Sequence, residues 1–346
     1  MNLGILVGYS GKIVKLPIEL VKAAESMGIT SAWTAEAYGS DAVTTATWLL
    51  ANTEKMKVGT AIMQLPGRSP ACAAMTAMTL QQLSGGRFIM GLGPSGPQVV
   101  EGWHGTSYAK PLTRQREYIN IVRQIFAREE PVTNEGEFYQ LPYKGPGSTG
   151  LGKPLKSILA ADTSIPVYTA AITPGGVRLA GELADGFFPV WMNPERYDIF
   201  EGAVNEGFAK AGNGKSLDDF DVAPFVSVVI GDDIEQCRNM VKPSLALYVG
   251  GMGAKSKNFY NDYAKKLGYE GEAEQIQDLY LSGKQGEATM MIPDSLVDEV
   301  HLCGPKEHIQ ERLQAWKEAG DKRHVGSMLL GCQDVKALEA VAEVML

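Results

Sequence analysis

The sequence predicts an α/β fold, a single (β/α)8 TIM barrel spanning 1–346 with a helical region inserted at 232–300. Three observations lead there. Short apolar runs alternate with helix-period segments eight times, the fourth run opens into a glycine-rich aromatic loop, and the interval 232–300 is too long for one crossover helix. Repeated strand-helix order also suits an open doubly wound sheet, but eight units in 346 residues favour closure.

The elements follow in order. Strands are expected at 3–7, 31–34, 58–62 and 88–92, and helices at 17–27, 42–52 and 69–83 between them. Ser69-Pro70 is a cap and first-turn pair, and Gly28 and Gly85 are helix stops. A helix at 113–127 precedes a Gly/Pro-rich irregular stretch at 130–165. Strands at 167–170, 186–190, 222–230 and 325–330 and helices at 176–183, 195–211, 306–319 and 334–344 complete the set. Within 232–300, helical pieces are expected at 242–247, 256–267 and 272–282, covering one side of the barrel.

The loop at 83–105 is the most informative segment. Gly91, Gly93 and Gly96 let the backbone turn and come close to a ligand. Gly91-x-Gly93-x-x-Gly96 also has the spacing of a dinucleotide fingerprint, which requires a helix directly after the glycines. Two prolines and Gly102-Trp103-His104-Gly105 speak against that helix.

Composition narrows the function. A formal net charge of -8 without a Lys/Arg block argues against a nucleic-acid partner and leaves a small molecule. No run reaches membrane-spanning length, and the apolar start is too short for a signal peptide, so a cytoplasmic protein is expected. Cys72, Cys237, Cys303 and Cys332 are widely spaced, and the four histidines form no ligand pair; no metal is expected.

The motifs Trp33-Thr34-Ala35-Glu36-Ala37-Tyr38-Gly39-Ser40-Asp41-Ala42, Gly59-Thr60-Ala61-Ile62-Met63-Gln64-Leu65-Pro66-Gly67-Arg68-Ser69-Pro70, the 83–105 loop, Ala184-Asp185-Gly186 and Gly304-Pro305-Lys306-Glu307 stand in a telling order. With them, nearly the whole chain resembles the luciferase-like monooxygenase superfamily, specifically its F420-dependent oxidoreductases. The resemblance implies hydride transfer between coenzyme F420 and a small organic substrate, in a homodimer. It implies a non-prolyl cis peptide at Ala61-Ile62 beneath the cofactor ring, with Gln64 and the segment Gly96, Pro97, Gln98 and Val99 at the ring's polar edge.

The resemblance also implies a phosphate site after the fifth strand, from Ala170 and Ala171 through Thr173, Pro174, Gly175, Gly176 and Val177, where backbone N–H groups and a helix N-terminus favour an anion. Glu36 stands at an acidic position of the family, but the histidine that often follows it is replaced by Ala37. The proton candidates are therefore Glu36 first and His104 second. Tyr9, Tyr38 and Trp191 follow strand ends and either wall the substrate pocket or pack the rim. FMN with monooxygenase chemistry is the alternative cofactor reading, and a non-catalytic flavin-binding barrel is a third.

Overall fold

The computed structural model describes residues 1–253 and 255–346. Its strands are β1 (Asn2–Gly8), β2 (Ser31–Thr34), β3 (Lys57–Thr60), β4 (Met63–Gln64), β5 (Phe88–Gly93), β6 (Asn134–Glu135), β7 (Gln140–Leu141), β8 (Val167–Ala170), β9 (Gly186–Phe188), β10 (Asp221–Val222), β11 (Phe225–Ile230), β12 (Leu302–Gly304) and β13 (Ser327–Gly331). Its α-helices are α1 (Ile18–Met27), α2 (Ala42–Asn52), α3 (Pro70–Ser84), α4 (Pro97–Gly102), α5 (Pro111–Ala127), α6 (Pro174–Leu183), α7 (Asp198–Ala211), α8 (Ile234–Ala246), α9 (Phe259–Lys266), α10 (Glu270–Leu281), α11 (Gln285–Met290), α12 (Asp294–Val300), α13 (Lys306–Asp321) and α14 (Val335–Met345).

The main sheet is parallel, in the order β10-β9-β8-β5-β3-β2-β1-β13-β11-β12, with β4 paired to β5; β6 and β7 form a separate antiparallel hairpin. Its two arms approach each other at Ala223-Pro224. There Ala223 N donates to Phe187 O (2.9 Å), while Gly326 N donates to Val222 O and Leu329 N to Pro224 O (both 3.0 Å). Helices cover the outer face of this curled sheet. Its inner face closes on Trp33, Ile89, Tyr168, Phe188, Ala223 and Leu329, with Trp33 edge-on to Phe188 at 5.2 Å between ring centroids.

Small residues permit the curl. A Cβ on Gly91 would stand 1.7 Å from Thr60 O, so only glycine lets β5 approach β3 here. The pairing that β3 abandons after Thr60 is taken over by a side chain: Thr60 Oγ1 donates to Gly91 O (2.8 Å) and accepts from Gly91 N (3.0 Å). Ladder pairing resumes at Met63↔Leu92 and Gln64↔Gly93. The interruption contains Ala61-Ile62, whose peptide bond is cis.

Two expectations need correction. A helix does follow the glycine loop: α4 starts at Pro97, the first helical position, where its missing N–H costs nothing. The strand β12 (Leu302–Gly304), which pairs with β11, was not anticipated because three residues are too few for a period-two signal. The insertion is helical, as α8 to α12, and also contains a π-helical turn at Leu247–Gly251. No helix among the described residues is long and apolar enough to cross a membrane.

Candidate functional site

The loops at the carboxyl ends of the strands bring Glu36, Gln64, Arg68, Ser95 and His104 into one network. Glu36 lies two residues beyond β2, and its carboxylate accepts four donors. Oε1 takes Gln64 N (2.8 Å) and Arg68 Nη1 (2.7 Å); Oε2 takes Ala42 N and Arg68 Nη2 (both 3.1 Å). Arg68 also pairs with Asp41, which caps α2 by accepting from Thr44 N (2.6 Å). Glu36 is thus a filled acceptor that ties β2, β4 and the start of α2 together.

The electrostatics support this. Burial works against the Arg68 charge, but hydrogen bonding and charge from Glu36, with help from Asp41, outweigh it and raise its pKa. Burial would raise the Asp41 pKa; the Thr44 hydrogen bonds and the Arg68 charge prevail and hold it below the usual carboxylate value.

Gln64 is buried and fixes His104. Its Nε2 donates to Glu36 O and to Ser95 Oγ (both 3.2 Å), so its Oε1 is left to face His104 Nε2 at 2.7 Å. A carbonyl oxygen only accepts, so Nε2 of His104 carries hydrogen and Nδ1 is the nitrogen left to exchange a proton. His104 Cε1 also borders Gly67, where a Cβ would sit 3.5 Å away.

Beside this network lies an apolar floor. Leu6, Ala61, Ile62, Ala170 and Phe225 are partly exposed and rest on the buried inner cluster. A Cβ on Gly93 would come within 2.9 Å of Ile62 and 3.5 Å of Ala170, so the glycine keeps the floor open. Ser95 takes a left-handed φ of 63°, which turns the chain into α4. Gly96 precedes α4 as its cap, and Pro97, Gln98 and Val99 form its first turn.

At the far side, α6 starts with Pro174. Thr173 is its cap, with Oγ1 accepting from Gly176 N at 3.2 Å, and Val177 N donates to Thr173 O at 2.9 Å. Ala171 lines the same turn, 3.4 Å from where a Gly176 Cβ would stand. The groups could hold a flat ring with an anionic tail: an open apolar floor, donors and a histidine at one edge, and a glycine-lined helix start at the other.

The aromatic candidates divide. Tyr9 and Tyr38 are exposed, while Trp191 is 5% exposed and packs edge-on against Tyr248 at 5.4 Å. Sequence reasoning missed Arg68, which lay inside a quoted motif, and Ser95. It also missed Tyr108, Tyr248 and Tyr260, whose positions had no periodic signal. Among the described residues, no group of three or more His, Cys, Asp or Glu is placed to hold a metal ion.

Comparison with known proteins adds to this geometry. Residues 12–323 match the family described as luciferase-like monooxygenase. A Mycobacterium tuberculosis protein, Rv3520c, provisionally named a coenzyme F420-dependent oxidoreductase, is 45% identical over 92% of this chain and 93% of its own length. A 5,10-methylenetetrahydromethanopterin reductase of Archaeoglobus fulgidus is 27% identical over 93% of this chain and 92% of its own. The solved structure of the coenzyme F420-dependent tetrahydromethanopterin reductase from Methanopyrus kandleri superimposes with a TM-score of 0.77 at 24% identity, covering 99% of this chain and 97% of that one. That last likeness speaks to fold.

Proposed function

We propose that this chain, which belongs to the luciferase-like monooxygenase family, is an oxidoreductase that moves a hydride between coenzyme F420 and a small organic substrate. The observation that carries the reading is the apolar floor flanked by the Gln64–His104 pair on one side and the start of α6 on the other. Asp221–Val222 and Phe225–Ile230 then count as one seventh strand interrupted at Ala223-Pro224, which gives a (β/α)8 barrel in one domain. The strand ends become the barrel mouth.

When bound, F420 supplies the hydride through its deazaflavin ring. Ala61, Ile62 and Ala170 would support that ring, and Gly96 to Val99 would border its polar edge. Gly175 and Gly176 would receive the phosphate through backbone N–H groups aided by the helix dipole. His104 exchanges the proton through Nδ1 while Gln64 holds its other nitrogen. Glu36, with four donors already on its carboxylate, positions Gln64 and Arg68.

Fluorescence titration with F420 and FMN tests the cofactor. F420 is expected to bind more tightly, and tighter FMN binding would favour the monooxygenase reading. Gly176→Val places its side chain against Thr173 Oγ1, 3.3 Å from the Cβ position, and crowds the phosphate turn. The F420 dissociation constant is expected to rise about tenfold or more, since a hydrogen bond to a charged group contributes about 1.5 to 3 kcal/mol. An unchanged constant would place the phosphate elsewhere.

A second copy of the chain is the proposed protein partner. The helices α2 and α3 contain no Asp, Glu, Lys or Arg, yet Trp48 and Met75 are 60% and 58% exposed on them. An uncharged apolar face of this kind is what a homodimer buries. Sedimentation should give twice the single-chain mass, and Trp48→Glu should halve it; a wild-type monomer would refute the proposal.

A further inference from the structure

Five phenols and one indole that the proton network does not use stand together at the carboxyl ends of the strands. Tyr9 directly follows β1, Tyr38 follows β2, Tyr108 lies beyond α4, Trp191 follows β9, and Tyr248 and Tyr260 come from the insertion after β11. The ring centroids of Tyr248 and Tyr260 are 4.8 Å apart, and Trp191 lies 5.4 Å from the first and 5.7 Å from the second. The loops carrying Tyr9 and Tyr38 are clamped to each other, since Ser10 N donates to Ser40 Oγ (2.8 Å) and Ser40 N to Ser10 O (3.2 Å).

The insertion is built to present Tyr248. It sits in the π-helical turn Leu247–Gly251, and such turns re-aim side chains at the expense of regular hydrogen bonding. Two buried asparagines meet the displaced carbonyls. Asn258 Nδ2 donates to Tyr248 O (3.1 Å) and Val249 O (2.9 Å), and Asn261 Nδ2 donates to Val249 O (3.1 Å) and Ala273 O (2.6 Å). The turn is therefore held firmly, with the phenol as its product.

Among the described residues, the hydroxyls of Tyr9, Tyr38, Tyr108, Tyr248 and Tyr260 have no hydrogen-bond partner in the protein. Burial, followed by the nearby phenols of Tyr9 and Tyr38, pushes the Tyr248 pKa above its ordinary value, so at neutral pH it is a protonated donor. None of these six side chains carries a positive charge, so the part of the mouth they line offers a carboxylate no counter-ion for its lost hydration. Flat faces and spare O–H donors suit a flat, uncharged acceptor.

We infer that the mouth binds an uncharged, planar conjugated carbonyl compound whose oxygen accepts a hydrogen bond from Tyr248 Oη, making Tyr248 a further catalytic residue. The inference rests on the F420 reading above. In the reduction, the hydride carried by reduced F420 bonds to the β-carbon, and the carbon–carbon π pair shifts so that negative charge reaches the carbonyl oxygen. Tyr248 stabilises that charge by hydrogen bonding, and a proton delivered through His104 Nδ1 adds to the α-carbon. The product has gained two hydrogens across the double bond, and the cofactor has lost two electrons.

The test uses 2-cyclohexen-1-one and its anionic counterpart cyclohex-1-ene-1-carboxylate. Saturation-transfer NMR on protein loaded with oxidised F420 is expected to show the enone binding at least tenfold more tightly than the carboxylate. Reduced-F420 oxidation by the enone should lose at least tenfold in kcat/KM in Tyr248→Phe, with F420 affinity unchanged within twofold. The variant removes only a hydroxyl without a protein partner, so its melting temperature should match the wild type. Equal binding of the two probes, or an unaffected Tyr248→Phe, overturns this inference while F420 binding still stands. Failure of F420 to bind overturns the underlying reading, and this one with it.

Discussion

His104→Ala is expected to lower turnover by about a hundredfold or more, the usual scale of general acid–base catalysis, while F420 affinity stays within a few-fold. The expectation follows from the single hydrogen bond that orients the ring. Gln64 spends its amide hydrogens on Glu36 O and Ser95 Oγ, so its oxygen holds His104 Nε2 and Nδ1 remains to exchange a proton. Glu36→Gln is a separate experiment, because it replaces one of the two oxygens that together accept four donors by an amide NH2 and disturbs the histidine only through Gln64. Paired measurements across pH distinguish the roles. If His104→Ala turns over normally and Glu36→Gln does not, the proton belongs to Glu36; if neither variant is impaired, the proton route lies outside this network.

Arg68→Ala is expected to destabilise the fold by about 3 kcal/mol, the lower end for breaking a buried ion pair, and to lower Tm by about 4 °C. The side chains of Arg68 and Glu36 are 16% and 10% exposed, so water replaces little of the lost pairing. The pH dependence has a definite sign. The folded-state pKa of Asp41 is lowered, so its contribution is fully present above the unfolded value of about 3.9 and is lost as pH falls through the folded value. Thermal melts should therefore show the largest gap between wild type and Arg68→Ala near neutrality, narrowing below about pH 4 as Asp41 protonates. A constant gap down to pH 2 would show that the arginine acts through packing alone.

Much of this protein was legible in one dimension. Buried strands such as Phe88–Gly93 read as unbroken apolar runs because both faces are covered, and Ser69-Pro70 and Gly85 marked the ends of α3 because caps are local chemistry. The motif around Ala61 and Ile62 located the cis peptide bond, although β3 ends at Thr60 and does not run to residue 62 as expected, and the family it resembles is the family to which the chain belongs. Short elements escaped: α4, α11, α12 and β12 have too few residues for periodicity to accumulate, and Pro97 disguised a helix start as an interruption.

Partnership was decided only by the tertiary structure. From sequence Glu36 ranked ahead of His104 as the proton candidate, but folding placed Arg68, 32 positions beyond Glu36, against its carboxylate. Folding likewise put the Gln64 amide against the histidine ring from 40 positions away. The same holds for Tyr248, whose direction is set by asparagines on another helix and whose neighbours Tyr9 and Tyr38 come from the opposite end of the chain. Sequence specifies backbone periodicity, caps and turns because those depend on adjacent residues. Which donor meets which acceptor depends on distances that exist only after the sheet has curled, and on that assignment rests the proposal that Glu36 positions and His104 carries the proton.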